Sequence, residues 1–353
     1  MYPALAVWQR LTPEVADVLW VGGQGGMEED LVRRAGVTFR AIPAAGMHGV
    51  GWRAWPRNLA RLTRGYFAAR RIVASFRPQA LFFTGGYVAV PMGLAGRRVP
   101  TLLYVPDIEP GLALKTLSRF AQKVAVTVED SRQFFPGKSV EVTGYPVRRE
   151  IAAWVGRRDE ARERLGLRTD EPVVLIFGGS KGARSINQAL AGHLEAVLDL
   201  AQVVHISGHL DWPTVQARRQ ALPLPLQKRY RASAFLYDDD MGAALAAADL
   251  VVSRAGASVL GEFPLFGLPA VLVPYPYAWR YQQVNAQWLA RRGAAHVVAD
   301  ADLPSQLLPV VRRLLHNAPA REAMREAMRR LARPDAAQRI ARGLQALAVG
   351  EET

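Results

Sequence analysis

Short runs of β-branched and aliphatic residues alternate with longer stretches of helical periodicity along almost the whole chain. This alternation is typical of βα units, which build a parallel sheet covered by helices. The pattern occurs once in each half, so the two halves resemble two similar domains. The predicted strands cover residues 18–22, 38–42, 80–84, 101–105, 123–128 and 139–142 in the first half, and 173–177, 203–207, 232–236, 250–253 and 270–273 in the second.

The boundary between the predicted domains falls at a Gly-Tyr-Pro turn that precedes a charged helical segment. A chain of 353 residues also exceeds what one hydrophobic core usually organises. We therefore expect a first domain at residues 1–148, a second at 149–334, and a C-terminal helix and tail at 335–353. The chain opens on a helical stretch, whereas a doubly wound domain normally begins with a strand and a glycine turn, so we expect this strand to lie before Met1.

Composition restricts the classes of function. The formal net charge is +14, and an electropositive surface attracts phosphate in nucleic acids, nucleotides and anionic lipids alike. We find no nucleic-acid module and expect no nucleic-acid partner. The chain has no cysteine and its six histidines lack metal-ligand spacing, so we predict no metal and no cofactor. No secretory signal is expected at the start, and the apolar runs are far shorter than the roughly 20 residues that span a bilayer.

Two glycine turns follow predicted strands. In the second half, Phe-Gly-Gly-Ser-Lys-Gly-Ala at 177–183 passes from a strand into a helix, and in the first half Gly85 and Gly86 follow a strand that ends near Thr84. Glycine lets a backbone approach an anion closely, and free N–H groups at a helix start favour a phosphate. An isolated glycine pair is more often an ordinary tight βα connection, because such short motifs have many false positives.

A third turn ends in a carboxylate. Ser258 and Glu262 lie four residues apart, so they share one face of the helix that follows the strand at 250–253. A carboxylate can accept hydrogen bonds from both hydroxyls of a ribose. Further along, a proline-rich aromatic loop leads to Gln282 and Gln283, whose amides could read sugar hydroxyls. The alternatives are a solvated glutamate and a simple packing loop.

Together these segments resemble the MurG family of inverting glycosyltransferases. The resemblance implies the two-domain GT-B fold, with two Rossmann-like doubly wound parallel-sheet domains that face a cleft. It rests on Tyr-Pro-Ala-Leu-Ala at 2–6, Gly-Gly-Tyr at 85–87, Pro-Gly at 110–111, Gly-Tyr-Pro-Val-Arg at 144–148, Gly-Gly-Ser-Lys-Gly-Ala at 178–183, Ser-Arg-Ala-Gly-Ala at 253–257 and Gln-Gln-Val-Asn-Ala at 282–286.

The resemblance implies a UDP-N-acetylglucosamine site in the second domain. Arg148, Ser180 and Lys181 are expected beside the diphosphate, and Leu236 beside the uracil. Glu262 is expected to bind the ribose and Gln282 the donor sugar. The remaining expected contacts, with the phosphate and nucleoside, are Ala257, Ser258 and Val259.

For the first domain, the resemblance implies a lipid-diphosphate acceptor near Gly85, Gly86 and Tyr87. The family's Gly-x-Gly-Gly-His turn, with its proposed catalytic histidine, would precede Met1. The family's His-Glu-Gln-Asn stretch is replaced here by Tyr-Val-Pro-Asp at 104–107. We therefore nominate Asp107 as the catalytic base.

A basic amphipathic helix is predicted within residues 31–106, a stretch with twelve arginines and no acidic residue. Its apolar residues recur at three- and four-residue intervals, beside several arginines. Such a helix either packs its stripe on a sheet or lies on an anionic membrane, and the resemblance favours a peripheral position on the cytoplasmic face of the bacterial membrane. The proposed membrane residues are Trp52, Trp55, Leu59, Leu62 and Tyr66.

The favoured function is transfer of N-acetylglucosamine from UDP to undecaprenyl-diphosphate-linked N-acetylmuramoyl-pentapeptide in peptidoglycan synthesis. Three alternatives stay open at this point. The chain could be a glycolipid synthase that acts on diacylglycerol, a UDP-N-acetylglucosamine 2-epimerase of the same fold, or a paralogue that binds UDP-sugar without turnover.

Overall fold

The computed structural model describes residues 1–11, 17–25, 28–44, 55–179, 182–277 and 280–350. The chain forms two compact units, of which the first joins Met1–Pro146 to the segment from Asp335 onward and the second is Val147–Pro334. The sequence placed the boundary after residue 148 and treated residues 335–353 as a separate tail. Within the described part of the chain, no helix has the length and apolar character that crossing a membrane needs.

The first unit contains two parallel sheets. One pairs β1 with β2, and the other has the order β3-β4-β5-β6. The strands are β1 (Leu19–Gly23), β2 (Thr38–Ile42), β3 (Leu81–Phe83), β4 (Thr101–Val105), β5 (Lys123–Val126) and β6 (Ser139–Val142). The helices are α1 (Tyr2–Leu11), α2 (Glu28–Arg34), α3 (Trp55–Phe76), α4 (Ala89–Ala95) and α5 (Leu112–Leu117), with a 3₁₀ helix at Glu129–Phe134.

One hydrophobic core lies against both sheets of the first unit. It includes Ile42 at the end of β2, Leu103 in β4, Val124 in β5 and Ala69 in α3, all of them fully buried. Every residue of β4 is buried, as expected for a parallel strand covered on both faces. The core therefore holds the carboxyl ends of β3 and β4 in position. The predicted acceptor residues follow these two strand ends.

The chain returns to the first unit through its last helix. α16 (Ala336–Val349) packs against α1 and β4. Ile340 and Ala341 are buried in this contact region, and Arg339 forms an ion pair with Glu141 of β6 at 3.0 Å. The predicted amphipathic tail helix is thus a packed part of the first unit.

The second unit is a single six-stranded parallel sheet with the order β12-β11-β10-β7-β8-β9. The strands are β7 (Val173–Phe177), β8 (Gln202–Ile206), β9 (Tyr230–Ser233), β10 (Leu250–Ser253), β11 (Ala270–Leu272) and β12 (Ala295–Val297). The helices are α6 (Arg149–Ala152), α7 (Arg158–Arg164), α8 (Arg184–Leu200), α9 (Trp212–Ala221), α10 (Leu224–Arg229), α11 (Asp238–Ala247), α12 (Glu262–Phe266), α13 (Tyr281–Arg291), α14 (Leu303–His316) and α15 (Ala318–Arg330), with 3₁₀ helices at Ala257–Leu260 and Asp300–Asp302.

The strand order of the second unit reverses between β7 and β10. From β7 the chain adds β8 and β9 on one side, then crosses back to add β10, β11 and β12 on the other. β7 and β10 are buried at every position. In open parallel sheets, ligands bind beyond the carboxyl ends of the strands at such a reversal. The two turns predicted to bind the donor follow these two strands.

Candidate functional site

The turn between β7 and α8 depends on glycine. Gly179 and Gly182 have φ angles of +86° and +75°, a region that residues with a Cβ rarely adopt. A Cβ on Gly182 would also overlap the carbonyl oxygen of Ser207. The turn leads into the 17-residue helix α8, whose positive dipole end and first N–H groups suit a diphosphate. The predicted Ser180 and Lys181 lie outside the described residues.

The turn after β10 carries a buried carboxylate. Glu262, the first residue of α12, is 7% exposed and accepts a hydrogen bond from Ser258. Burial raises the pKa of Glu262, while the positive charge of Arg148 and the Ser258 hydrogen bond lower it. The structure therefore excludes a solvated surface glutamate at this position. Of the other predicted contacts here, Ala257 is half-buried and Val259 is buried.

Arg148 lies immediately before α6 and is largely buried. It forms an ion pair with Asp238, the first residue of α11. Its charge also acts on Glu262. Two of the predicted donor residues are thus in electrostatic contact, although 114 residues separate them in the sequence.

Gln282 lies in the first turn of α13 and holds two loops together. Its side-chain oxygen Oε1 accepts hydrogen bonds from the backbone N–H groups of Tyr275, at 2.9 Å, and Ala255, at 3.3 Å. One turn later, the buried Asn285 donates from Nδ2 to the carbonyl oxygen of Ala255 at 3.1 Å. The loops after β10 and β11 are therefore fixed by α13, and sequence reasoning did not identify Asn285.

Leu236 follows β9 and is half-buried. In the sequence it lies between two aromatic residues, Phe235 and Tyr237. Phe235 contacts Tyr237 edge to face, with ring centroids 5.0 Å apart, and stacks on His209 at 6.0 Å. Flat rings of this kind suit a planar base. The prediction included Leu236 but not the aromatic residues, whose only signal in the sequence is a Phe-Leu-Tyr run directly after a strand.

A buried histidine network supports α8. The Nε2–H of His205 donates to Oδ1 of Asn187 at 2.9 Å, since the Nδ2 of Asn187 already donates to Ser207 and Asp211. The other ring nitrogen, Nδ1, accepts from the hydroxyl of Tyr230 at 2.6 Å. His205 is therefore a neutral structural residue, as its lone spacing from His209 suggested.

We expect this histidine to make the protein less stable in acid. Burial lowers the pKa of His205 from 6.5 to about 4, so the unfolded chain binds the proton more readily. The stabilisation is complete above pH 6.5 and is lost as the pH falls toward 4. The free energy of unfolding should decrease by about 2 kcal/mol from this residue between pH 7 and pH 5. Urea titrations of the wild type and His205→Gln at both pH values test this, because the variant should lose that difference.

In the first unit, Gly85 and Gly86 follow β3 with φ angles of +108° and +90°. Tyr87 is next and is 60% exposed. On the neighbouring strand β4, Tyr104 is buried and shares a hydrogen bond of 2.8 Å with Thr127. The glycine turn is thus an exposed backbone segment beside a rigid strand end.

Asp107 follows β4 and is half-buried. Since β3 and β4 are adjacent and parallel, the Gly85–Gly86 turn and Asp107 lie at the same edge of the sheet. The negative charge of Asp107 reaches Tyr104, where burial is the main cause of a raised tyrosine pKa. The structure therefore groups the predicted acceptor turn and the nominated base at one edge.

Comparison with known proteins gives the family. The glycosyltransferase family 28 N-terminal domain matches residues 1–126, and the C-terminal domain of the same family matches residues 173–340. A UDP-N-acetylglucosamine–N-acetylmuramyl-(pentapeptide) pyrophosphoryl-undecaprenol N-acetylglucosamine transferase of Roseiflexus sp. is 42% identical, over 100% of this chain and 93% of its own length. The chain belongs to the MurG family. The N-terminal match lies within the first unit, and the C-terminal match covers most of the second unit and the start of α16.

Solved structures agree with this assignment. The MurG crystal structure from Acinetobacter baumannii is 28% identical and superimposes with a TM-score of 0.75, covering 98% of this chain and 95% of that one. A UDP-N-acetylglucosamine 2-epimerase from Neisseria meningitidis shares the fold, with a TM-score of 0.64 over 98% of this chain and 96% of that one, at 14% identity. The two-domain GT-B fold predicted from the sequence is confirmed.

In this MurG family member, the basic helix α3 has both a core face and an exposed face. Ala69 is buried and Val73 packs against the core, so this part of the predicted stripe packs on the sheet. Leu62 and Tyr66 are half-buried, whereas Phe67 is 55% exposed. Trp52 and the side chains of Trp55 and Leu59 lie outside the described residues.

Proposed function

We propose that the chain is an inverting transferase that moves N-acetylglucosamine from UDP-N-acetylglucosamine to undecaprenyl-diphosphate-linked N-acetylmuramoyl-pentapeptide, the step from lipid I to lipid II. The observation that carries this proposal is the buried Glu262, which begins α12 after β10 and its turn. The chain also matches an N-acetylglucosamine transferase of this kind over its full length. A carboxylate held out of water, with a hydrogen bond from Ser258, is suited to a ribose diol.

The second unit would hold the donor. The diphosphate would lie at the start of α8, with Arg148 and the Ser180–Lys181 pair beside it. Leu236 and its aromatic neighbours would face the uracil, and Glu262 the ribose. The Nε2 amide of Gln282 would donate to a hydroxyl of the sugar, while its Oε1 holds the loops. The nucleoside and phosphate contacts would be completed by Ala257, Ser258 and Val259.

The first unit would hold the acceptor diphosphate at Gly85, Gly86 and Tyr87. In the reaction, an acceptor hydroxyl oxygen attacks the anomeric carbon, and the bond from that carbon to the diphosphate oxygen breaks. Asp107 takes the hydroxyl proton, and UDP leaves with the electron pair. The α8 dipole and Arg148 stabilise the charge that develops on UDP. One displacement inverts the anomeric centre.

The proposal is tested by incubating the full chain with radiolabelled UDP-N-acetylglucosamine in three separate reactions. One contains lipid-linked muramoyl-pentapeptide, one contains diacylglycerol, and the third contains no acceptor. We expect a labelled lipid product with the first acceptor only. Labelled diacylglycerol would indicate a glycolipid synthase instead. UDP-N-acetylmannosamine, or N-acetylmannosamine released with UDP by water, formed without acceptor would indicate an epimerase.

We also propose that the protein works at the cytoplasmic face of the membrane, with α3 against anionic lipid. Arg61, Arg64 and Arg71 are exposed on this helix, beside the exposed Phe67. Basic residues near an anionic surface contribute roughly 1 kcal/mol each, and an aromatic ring adds apolar anchoring. No acidic residue between 31 and 106 opposes this attraction.

Neutralising these arginines should weaken membrane binding. We expect the triple variant Arg61→Gln, Arg64→Gln, Arg71→Gln to bind phosphatidylglycerol vesicles about 100-fold more weakly in co-sedimentation. A matched triple variant that neutralises the exposed Arg218, Arg312 and Arg330 of the second unit is the control. If both triple variants lose affinity equally, net charge rather than α3 governs attachment.

A further inference from the structure

Arg254 is a buried cation that none of the proposed ligand contacts uses. It follows directly after β10, and its side chain is 9% exposed. Its guanidinium pairs with the carboxylate of Asp300 and donates to the hydroxyl oxygen of Ser185 at 2.8 Å. It also donates to the carbonyl oxygen of Val273 at 3.2 Å and lies 5.2 Å from the centre of the Tyr275 ring.

These partners follow three other strands of the same sheet. Ser185 belongs to the first turn of α8, after β7, and Val273 follows β11. Asp300 follows β12 and begins a 3₁₀ helix. In the sheet, β12, β11, β10 and β7 lie side by side. Arg254 thus contacts the segments that follow the carboxyl ends of β7, β11 and β12.

The contacts form a closed set of donors and acceptors. The Ser185 hydroxyl accepts from Arg254 and donates to the carboxylate of Asp300 at 2.7 Å. Arginine has a planar fork that serves several acceptors at fixed angles, which the single ammonium group of lysine cannot reproduce. A charge this deeply buried persists only if it is paired and hydrogen-bonded. The geometry of the three loops is therefore fixed by one side chain.

The same loops carry the proposed donor contacts. The residue after Arg254 is Ala255, whose N–H and carbonyl are bonded to Gln282 and Asn285. The chain continues from there to Glu262. On the other side, Ser185 belongs to the helix turn that would receive the diphosphate. Arg254 connects the segment that would bind the ribose to the segment that would bind the phosphates.

We propose that Arg254, with Ser185 and Asp300, is a positioning group that sets the start of α8 against the Glu262 segment for binding of the UDP moiety. This inference rests on the proposed donor function of the second unit. Arg254 touches no reacting atom and acts through the loops it joins. Its loss should therefore weaken donor binding more than it slows the chemical step.

The test replaces the smallest member of the group. Ser185→Ala removes one hydroxyl and leaves the Arg254–Asp300 pair in place, so the unit should still fold. We expect the Kd for UDP, measured by calorimetry on the full chain, to rise about fivefold to tenfold, which is the net effect of losing one ordinary hydrogen bond. The KM for UDP-N-acetylglucosamine should rise by the same factor, with kcat within about twofold of wild type.

Three variants accompany it. Ser305→Ala removes a hydroxyl that donates to a backbone carbonyl outside the site and should leave the Kd for UDP unchanged. Ser185→Thr keeps a hydroxyl and should restore most of the affinity. Arg254→Lys keeps the charge without the fork and should weaken UDP binding more than Ser185→Ala, while circular dichroism and thermal unfolding report whether it is folded.

The outcomes separate this inference from the proposed function. Wild-type binding of UDP with an equal Kd for Ser185→Ala overturns the positioning role and leaves the donor assignment standing. A wild type that does not bind UDP overturns both. A lower melting temperature of Ser185→Ala with an unchanged Kd shows that the group only stabilises the fold, which also contradicts the inference.

Discussion

Glu262→Ala should lower kcat/KM for UDP-N-acetylglucosamine by at least about 100-fold. The carboxylate would accept two hydrogen bonds from the ribose diol, and each charge-assisted bond contributes about 1.5–3 kcal/mol. Two such bonds correspond to two or more powers of ten in affinity for the donor. The measurement is steady-state transfer to the lipid-linked acceptor at several UDP-N-acetylglucosamine concentrations.

Two further variants make the Glu262 result specific. Glu262→Gln keeps the shape and one acceptor oxygen, so it should retain more activity than Glu262→Ala. Glu322→Ala removes an exposed carboxylate from α15 of the same unit and should have wild-type kinetics. Full activity of a folded Glu262→Ala variant would contradict the ribose assignment and would leave Glu262 as a purely structural buried acid.

The largest effect on stability is expected at Arg162. This arginine of α7 is 1% exposed and donates to the carboxylate of Asp249 at 2.7 Å. It also donates to four backbone carbonyls, those of Ala247, Arg168, Thr169 and Glu171. Asp249 in turn accepts from the N–H of Val173 at the start of β7. The pair therefore connects α7 to the two central strands of the second unit.

Arg162→Met should lower the free energy of unfolding by about 3–5 kcal/mol, because four backbone carbonyls lose their donor and the Asp249 carboxylate keeps only the exposed Arg158 as a charged partner. Urea denaturation followed by circular dichroism measures this. The control is Arg164→Met, two residues along, where the arginine is exposed and pairs with Asp239 and Asp240 at the surface. Its midpoint should hardly change. Equal shifts for the two variants would mean that Arg162 contributes as an ordinary surface charge.

Much of the fold followed from the sequence because buried parallel strands are continuous apolar runs. Each predicted strand overlaps an observed one, and five match in full, at residues 38–42, 101–105, 139–142, 173–177 and 250–253. β12 was missed, since Ala295–Val297 has only three residues and they are only half-buried. The prediction at 232–236 began two residues late, because β9 starts at a tyrosine and an arginine rather than at an apolar run.

Site residues could be predicted only where a short sequence motif indicates their role. Glu262 and the α8 turn have such patterns, since each follows a strand and precedes a helix. Arg254 and its partners do not, because 69 and 46 residues separate Arg254 from Ser185 and Asp300. Only the sheet order brings them together. For α3, periodicity predicted the helix but could not identify its exposed face, since core and lipid select the same apolar residues.

The return of the chain to the first unit affects the order in which the protein can fold during synthesis. Residues 147–334 are contiguous, so the second unit can form as soon as they have left the ribosome. The first unit is completed only when α16 reaches α1 and β4. Domains usually fold from the N-terminus onward. Here the nascent N-terminal region would expose the surface on which α16 packs until α16 itself has left the ribosome, and apolar surface exposed in this interval is prone to aggregation.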